Sequence, residues 1–281
     1  MKNWLENEYV ILSGASGGIG KELCKLLLSK YSAKVIGIGR NEEKMKSFIG
    51  ELGELAQNFS YRLFDVGVKE SWIEFRSWLE ENGIRPVLLI NNAGVFPTFK
   101  KTLRTPHQTM EQIMRTNYFS VVYATEFVAP LLKDNGKFKA GIVNVSSSAA
   151  LCAVIGTSAY SASKAAIKNY TEALQMEEQG RKYIGIIYPG TTATDLFNND
   201  ENTKNSILQK IAMRPQKMAK KIAKKIYRRK KRAVLGWDAK IMNFAAKLGP
   251  VKGLRFICFV MKSSRSKVFS DVFDRVENKE E

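Results

Sequence analysis

Glu8-Tyr9-Val10-Ile11-Leu12-Ser13-Gly14-Ala15-Ser16-Gly17-Gly18-Ile19-Gly20 is the stretch on which the fold turns. It opens as a short apolar run, passes into a glycine-rich turn, and is followed from Lys21 to Lys30 by leucines at helical spacing, Leu23, Leu26 and Leu27. Strand, turn and helix therefore follow in order. Glycine suits such a turn because positive φ and close backbone approach to a pyrophosphate both exclude a Cβ, while the helix N-terminus offers free N–H groups and partial positive charge. The spacing Gly-x-x-x-Gly-x-Gly departs from the common Gly-x-Gly-x-x-Gly, so the generic dinucleotide fingerprint is only partly met.

Working outward, strands and helices alternate. Strands are expected at Lys34 to Gly39, Phe59 to Asp65, Pro86 to Asn91, Ala140 to Ser146, Lys182 to Tyr188 and Ala233 to Gly236. Helices are expected at Asn41 to Ala56, Lys69 to Asn82, Thr109 to Leu132 and Ala159 to Gly180. Uninterrupted apolar strands such as Val87-Leu88-Leu89-Ile90 fit a parallel sheet covered on both faces. The fold class is α/β, a doubly wound parallel sheet of Rossmann type, with ligands at the carboxyl ends of its strands.

Tyr160 and Lys164, in Tyr-Ser-Ala-Ser-Lys, stand four residues apart on one face of an expected helix. An ammonium there favours the phenolate and is expected to lower the tyrosine pKa from about 10, giving a proton donor usable near neutrality. In isolation such a pair is an ordinary surface feature, and its companions decide the reading.

Ser13 to Gly20, Asn91-Asn92-Ala93-Gly94, Asn117, Ser147, Tyr160-x-x-x-Lys164 and Pro189-Gly190 together resemble the short-chain dehydrogenases/reductases in order and spacing, over about residues 8 to 236. The resemblance implies an enzyme that interconverts a carbonyl and a secondary alcohol by hydride transfer. Tyr160 would be its acid/base, Lys164 the residue that binds the nicotinamide ribose and holds the tyrosine pKa down, and Ser147 the hydroxyl polarising the carbonyl. Ser146 and Ser148 would turn elsewhere. Asn117 would order a relay water. Gly14, Ser16, Gly17, Gly18, Ile19 and Gly20 would cradle the dinucleotide, Asp65 and Val66 would meet the adenine, and Asn91, Asn92, Ala93 and Gly94 would border the cofactor and steady the sheet. Pro189, Gly190, Thr192 and Thr194 would border the nicotinamide. After the second strand stands Ile38-Gly39-Arg40-Asn41, with no carboxylate to repel a 2′-phosphate and a guanidinium to bind one, so NADP(H) is preferred over NAD(H).

Asp195 to Met213 is polar and asparagine-rich with Leu196, Phe197, Ile207 and Leu208, the composition of a mobile lid spanning about 191–213. Phe96, Phe99, Ala149, Cys152, Val154, Tyr188 and Phe197 are candidate pocket residues, and their apolar character points to a hydrophobic substrate of the steroid, acyl-chain or aromatic-ketone class. The family also implies a homo-oligomer, a dimer or tetramer, through Thr109 to Leu132 and Ala159 to Gly180.

The 281 residues suit one large domain, 1–236, with a C-terminal helical extension, 237–281. The start of the chain lacks a signal-peptide core and no run approaches a membrane span, so a cytoplasmic protein is expected. Three cysteines and one histidine supply neither a disulfide framework nor a metal cluster.

Of the net charge of +18, nearly all lies from Lys204 onward, where 22 basic residues face 6 acidic ones. Lys217 to Arg232 holds ten cations interleaved with Met218, Ile222 and Ile226, an apolar stripe toward the domain and a cationic face toward solvent. The basic region reads either as a packed helix with an extension over a neighbour or the pocket, or as a segment for an anionic membrane surface. The absence of a recognition motif argues against nucleic acid.

Two readings lie outside the oxidoreductase class. One is a non-catalytic dinucleotide-sensing or membrane-surface scaffold that keeps the fold. The other is an esterase, since Gly14-Ala15-Ser16-Gly17-Gly18 also fits a nucleophile elbow, with Asp65 and His107 following in order. That elbow would fall on the first strand, with no earlier loop to build an oxyanion hole, and would leave Tyr160 and Lys164 unexplained.

Overall fold

A computed structural model of the chain describes residues 3–196 and 211–273. Seven parallel strands form one sheet: β1 (Tyr9–Ser13), β2 (Lys34–Gly39), β3 (Phe59–Leu63), β4 (Leu88–Asn91), β5 (Gly141–Val145), β6 (Tyr183–Pro189) and β7 (Arg232–Leu235), in the order β3-β2-β1-β4-β5-β6-β7. Val10 pairs with Val35 on one side and Leu88 on the other, so β1 lies inside the sheet beside the central β4. Parallel strands covered on both faces need apolar side chains facing both ways, and β1 supplies them. Val10 and Leu12 join the core under α1 (Gly18–Ser29) and α2 (Glu42–Leu52), whereas Ile11 joins the core under α3 (Lys69–Glu81).

The strand order reverses between β1 and β4. The crevice at that switch, at the carboxyl ends of the strands, is where an open α/β sheet receives ligands.

Several expected boundaries shift for local reasons. The helix expected over Thr109 to Leu132 is interrupted: α4 (His107–Met114) gives way to a π turn at Arg115–Phe119, α5 (Ser120–Val128) resumes, and a 3₁₀ turn closes at Ala129–Leu131. The π turn carries Asn117. The next helix, α6 (Ser158–Glu177), stops short of Gly180, which has φ of +78°. The basic helix α7 (Pro215–Tyr227) ends before Arg229, at φ +53°, and Arg232 already belongs to β7. Met218, Ile222 and Ile226 of α7 are fully buried, in the same core as α1.

Beyond β7 come α8 (Trp237–Ala245) and α9 (Pro250–Ser263), joined through Gly249 at φ +97°. A Cβ at Gly253 would overlap the Ala245 carbonyl, so glycine lets these two helices approach closely. Among the described residues no helix is long and apolar enough to cross a membrane.

Candidate active site

The glycine turn is built by conformations that other residues resist. Gly14 and Gly18 have φ of +70° and +49°, and a Cβ at Gly20 would overlap the Gly14 carbonyl. Gly17 caps α1 without a side-chain hydrogen bond, which leaves the first N–H groups of the helix available to an anion. Asn92 holds the turn from the opposite strand, its Nδ2 donating to the carbonyls of Ser13 at 3.0 Å and Gly14 at 3.4 Å. The backbone N–H groups of Asn92 and Ala93 both donate to Ser13 Oγ at 3.0 Å.

A cavity of about 610 Å³ runs from this turn across the sheet. Gly14, Ser16, Gly17, Gly18, Ile19, Arg40, Asp65, Val66, Asn92, Ala93, Gly94, Ser147, Tyr160, Lys164, Pro189, Gly190, Thr192 and Thr194 all border it. Gly20 lies beneath the turn and Asn117 behind Gly94, neither on the cavity wall. Asn91 is also absent from the wall. Its Nδ2 donates to Asn144 Oδ1 at 2.8 Å, and Asn144 passes the chain on to Thr171 at 2.9 Å, so it steadies the sheet only.

Tyr160 and Lys164 are both buried on one face of α6, the lysine Nζ 5.9 Å from the phenol ring centroid. The phenol is hydrogen-bonded to the Ser147 hydroxyl. Here the sequence expectation is corrected: burial pushes the Tyr160 phenol above its usual value, and only the Ser147 hydrogen bond opposes the rise. The same burial pulls Lys164 down to about 8, and its Nζ donates to the Val145 carbonyl at 3.3 Å. Desolvation outweighs charge pairing because both groups leave water together. Of the neighbouring serines, Ser146 donates to the Lys164 carbonyl at 2.8 Å, but it and Ser148 border the same cavity as Ser147, so the expectation that both turn elsewhere is not met.

Asn117 reaches this cluster from the π turn. Its Oδ1 accepts from the Val95 N–H at 2.7 Å, and its Nδ2 donates to the Val95 carbonyl at 3.1 Å and to Ser163 Oγ at 3.0 Å. A Cβ at Gly94 would stand 3.2 Å from both Asn117 Oδ1 and Lys164 Nζ, so the two side chains meet over that glycine.

These features constitute a built crevice: a nest of free N–H groups, a cationic rim and a buried proton donor. A family model described as short chain dehydrogenase matches residues 8–205. This chain belongs to the short-chain dehydrogenase family. It is 30% identical to the 3-ketodihydrosphingosine reductase of Dictyostelium discoideum over 71% of its own length, and spans 64% of that relative. It is likewise 30% identical to the bovine (Bos taurus) 3-ketodihydrosphingosine reductase, over 78% of this chain and 68% of the relative. A short-chain dehydrogenase from Shigella flexneri, solved with NADP, superposes with a TM-score of 0.71 at 25% identity, covering 83% of this chain and 98% of that one.

Against the family frame, several positions differ from expectation. Cys152 packs with Ala245 and Ile257 rather than lining the cavity, and Tyr188 is enclosed with Val121 and Ile167 on the α6 side of the sheet. Phe96, Phe99, Ala149 and Val154 do line it. Phe197, Ile207 and Leu208 of the expected lid lie outside the described residues. What is described shows the two ends of that segment joined: Met213 N–H donates to the Thr191 carbonyl at 2.9 Å, and Ala193 N–H to the Met213 carbonyl at 3.0 Å. The esterase reading falls, because His107 is exposed beside Glu111 and does not border the cavity that Ser16 and Asp65 share.

Sequence reasoning missed four contributors. Lys44 joins Arg40 at the rim, signalled by its place in the first turn of α2. Ser163 lies three residues beyond Tyr160 and donates to its carbonyl at 2.7 Å. Asp238 accepts from the Thr191 N–H at 2.5 Å and so fixes the loop after β6. Phe269 folds back to stack edge-on against Phe99, centroids 5.0 Å apart, while Phe99 meets Phe96 and Phe96 meets Tyr160 in the same manner. Its signal was a helically spaced apolar set, Val268, Phe269, Val272 and Phe273.

Proposed function

We propose that this chain is an NADP(H)-dependent oxidoreductase that interconverts a carbonyl and a secondary alcohol on a hydrophobic small molecule. The observation that carries the reading is the buried Tyr160 phenol, hydrogen-bonded to Ser147, at the junction of the glycine-lined crevice and an apolar wall. The crevice suits a dinucleotide: Gly14 and Gly18 leave no Cβ in the cradle, and Arg40 and Lys44 supply cations where a 2′-phosphate would lie. When bound, the nicotinamide supplies the hydride exchange.

The chain's own residues manage the proton and the orientation. Tyr160 gives a proton to the carbonyl oxygen, or takes it from the alcohol, while Ser147 donates a hydrogen bond to the same oxygen. Lys164 would hold the nicotinamide ribose, and Asn117 fixes the loop at Val95. The wall formed by Phe96, Phe99 and Phe269 suits an acyl chain or ring system better than a sugar. The two reductases of 3-ketodihydrosphingosine among its relatives support a long-chain ketone. Phe119 and Met176, exposed on the π turn and α6, suit a homo-oligomer.

The test follows NADPH absorbance with a panel of hydrophobic ketones. Turnover by the wild type, with loss of at least about 100-fold in kcat for Tyr160→Phe, is expected from removal of a general acid. Activity unchanged by that substitution would reject the assignment.

A further inference from the structure

The apolar surface of this protein is concentrated in one place. Of fourteen large apolar side chains exposed in the described chain, nine fall between Trp237 and Val260, on α8, α9 and the turn between them. Phe244 is 61% and Phe259 69% exposed. The inner face of α9, through Gly253 and Ile257, packs on the domain, while Val251, Leu254, Phe256 and Phe259 are exposed. Helices of soluble proteins place charge where they meet water, and α9 instead mixes large apolar groups with cations there.

The charges beside this surface have one sign. Between Asp238 and Asp271 the chain has seven basic residues and no acidic one. Lys240, Lys247, Lys252, Arg255 and Lys262 are exposed among the apolar side chains. Apolar groups combined with cations complement the boundary of an anionic bilayer, where the rings enter the acyl region and the amines meet the headgroups. A second copy of this chain would bring the same positive charge against itself. The helix α7 is a poorer candidate despite its greater charge, because its apolar stripe is spent against the domain.

The same helices border the cavity. Trp237, Ile241 and Met242 of α8 and Ile257, Val260 and Met261 of α9 line its apolar end. Trp237, Ile241 and Val260 are at once cavity wall and exposed surface, so the mouth opens within the apolar patch. We infer that α8 and α9 dock on an anionic lipid bilayer and that the cavity receives its substrate from the lipid phase. The inference rests on the oxidoreductase reading for the word substrate, but its docking part is measured without turnover.

The test uses the full chain and vesicles of phosphatidylcholine alone or with about 30% phosphatidylserine, a content that gives a negative surface potential. Sedimentation is expected to carry the protein down with the anionic vesicles at low salt, and far less with the neutral ones or at high salt. Lys247→Glu/Lys252→Glu/Arg255→Glu is expected to weaken partition by at least about 100-fold, from roughly a factor of five for each cation lost near the surface, with the added carboxylates increasing the effect. Phe244→Ser/Phe259→Ser is expected to weaken it at least tenfold, about the loss of two partly inserted rings. Neither set borders the cavity, so retained NADPH binding shows that the variants fold. Tryptophan quenching by brominated lipid, lost in Trp237→Phe, would locate the mouth at the bilayer. Absence of vesicle binding at low salt, or binding unchanged in both variants, overturns the proposal. So does a dimer that Phe244→Ser/Phe259→Ser dissociates while vesicles bind nothing, since the face then belongs to a second copy. Failure to turn over a soluble ketone would overturn the catalytic reading and leave the docking result standing.

Discussion

Asn117 and Ser163 are hydrogen-bonded at 3.0 Å, joining the π turn before α5 to the second turn of α6. Ser163 in turn donates to the Tyr160 carbonyl at 2.7 Å, so one hydroxyl ties the asparagine to the backbone that carries the phenol. Both residues are fully buried. A π turn inside a longer helix redirects a side chain that regular winding would aim elsewhere, and here it delivers Asn117 between Val95 and α6.

Ser163→Ala therefore removes an acceptor from a buried amide and a tie on Tyr160. Unfolding free energy measured in urea is expected to fall by about 1–3 kcal/mol, the cost of a buried polar group left without its partner. The turnover number is expected to fall more than KM changes, since the altered contact orients the phenol rather than the substrate. Stability and kcat equal to wild type would show that the tie is slack.

Lys164 sets a stability profile on the alkaline side. Its amine is held near 8 in the folded chain against 10.5 unfolded, so between those values the unfolded state binds more protons and stability rises with pH. Below pH 8 the buried cation costs up to about 3 kcal/mol, and that cost is relieved as pH approaches 10.5. Lys164→Met lacks this slope. Urea denaturation of both proteins from pH 7 to about 10 is expected to show the wild type gaining on the variant, a direction the linkage fixes.

The acid/base role proposed for Tyr160 gives a second signature in pH. Because burial holds the phenol protonated above its usual range, reduction of a ketone is expected to persist through neutral pH, while oxidation of the alcohol, which needs the phenolate, rises as pH increases. A level kcat/KM for reduction through neutral pH beside a rising kcat/KM for oxidation is the readout. Ser147→Ala removes the hydrogen bond that opposes the upward shift and moves the alcohol-oxidation limb to higher pH.

Arg40 is exposed at the rim with no ion pair among the described residues. Arg40→Ala is expected to raise KM for NADPH by about 10- to 100-fold, the loss of a charge-assisted contact, and to leave NADH within about twofold. Steady-state kinetics with both reductants decide it. Equal effects on the two would move phosphate recognition to Lys44.

The sheet was legible because its strands are apolar without interruption and its turns carry glycine. Positions around Gly14 and Tyr160 follow from short-range spacing that a chain of one dimension displays. The π turn was not legible, since nothing in the periodicity of Thr109 to Leu132 distinguishes an extra residue per turn until Asn117 finds Val95 from a different loop. Tyr188 and Cys152 were misplaced for a related reason: an apolar residue near a strand end fits either a pocket or a core, and only the packing of β6 and α8 selects the core. The direction of the Tyr160 shift was hidden as well, because spacing records the nearby lysine and not the loss of water around both groups.

The wall proposed for the substrate is completed from the far end of the chain. Asp271 accepts from the Lys101 N–H at 3.0 Å and from Arg104 at 2.9 Å, holding Phe269 against Phe99. During synthesis from the N-terminus, the glycine crevice, Tyr160 and Lys164 emerge about a hundred residues before this clasp. On the proposed reading, a chain clipped before Phe269 would keep the residues assigned to the dinucleotide and lose the end of the wall assigned to the substrate. Selectivity would then be the last property this polypeptide acquires and the first that trimming its tail removes.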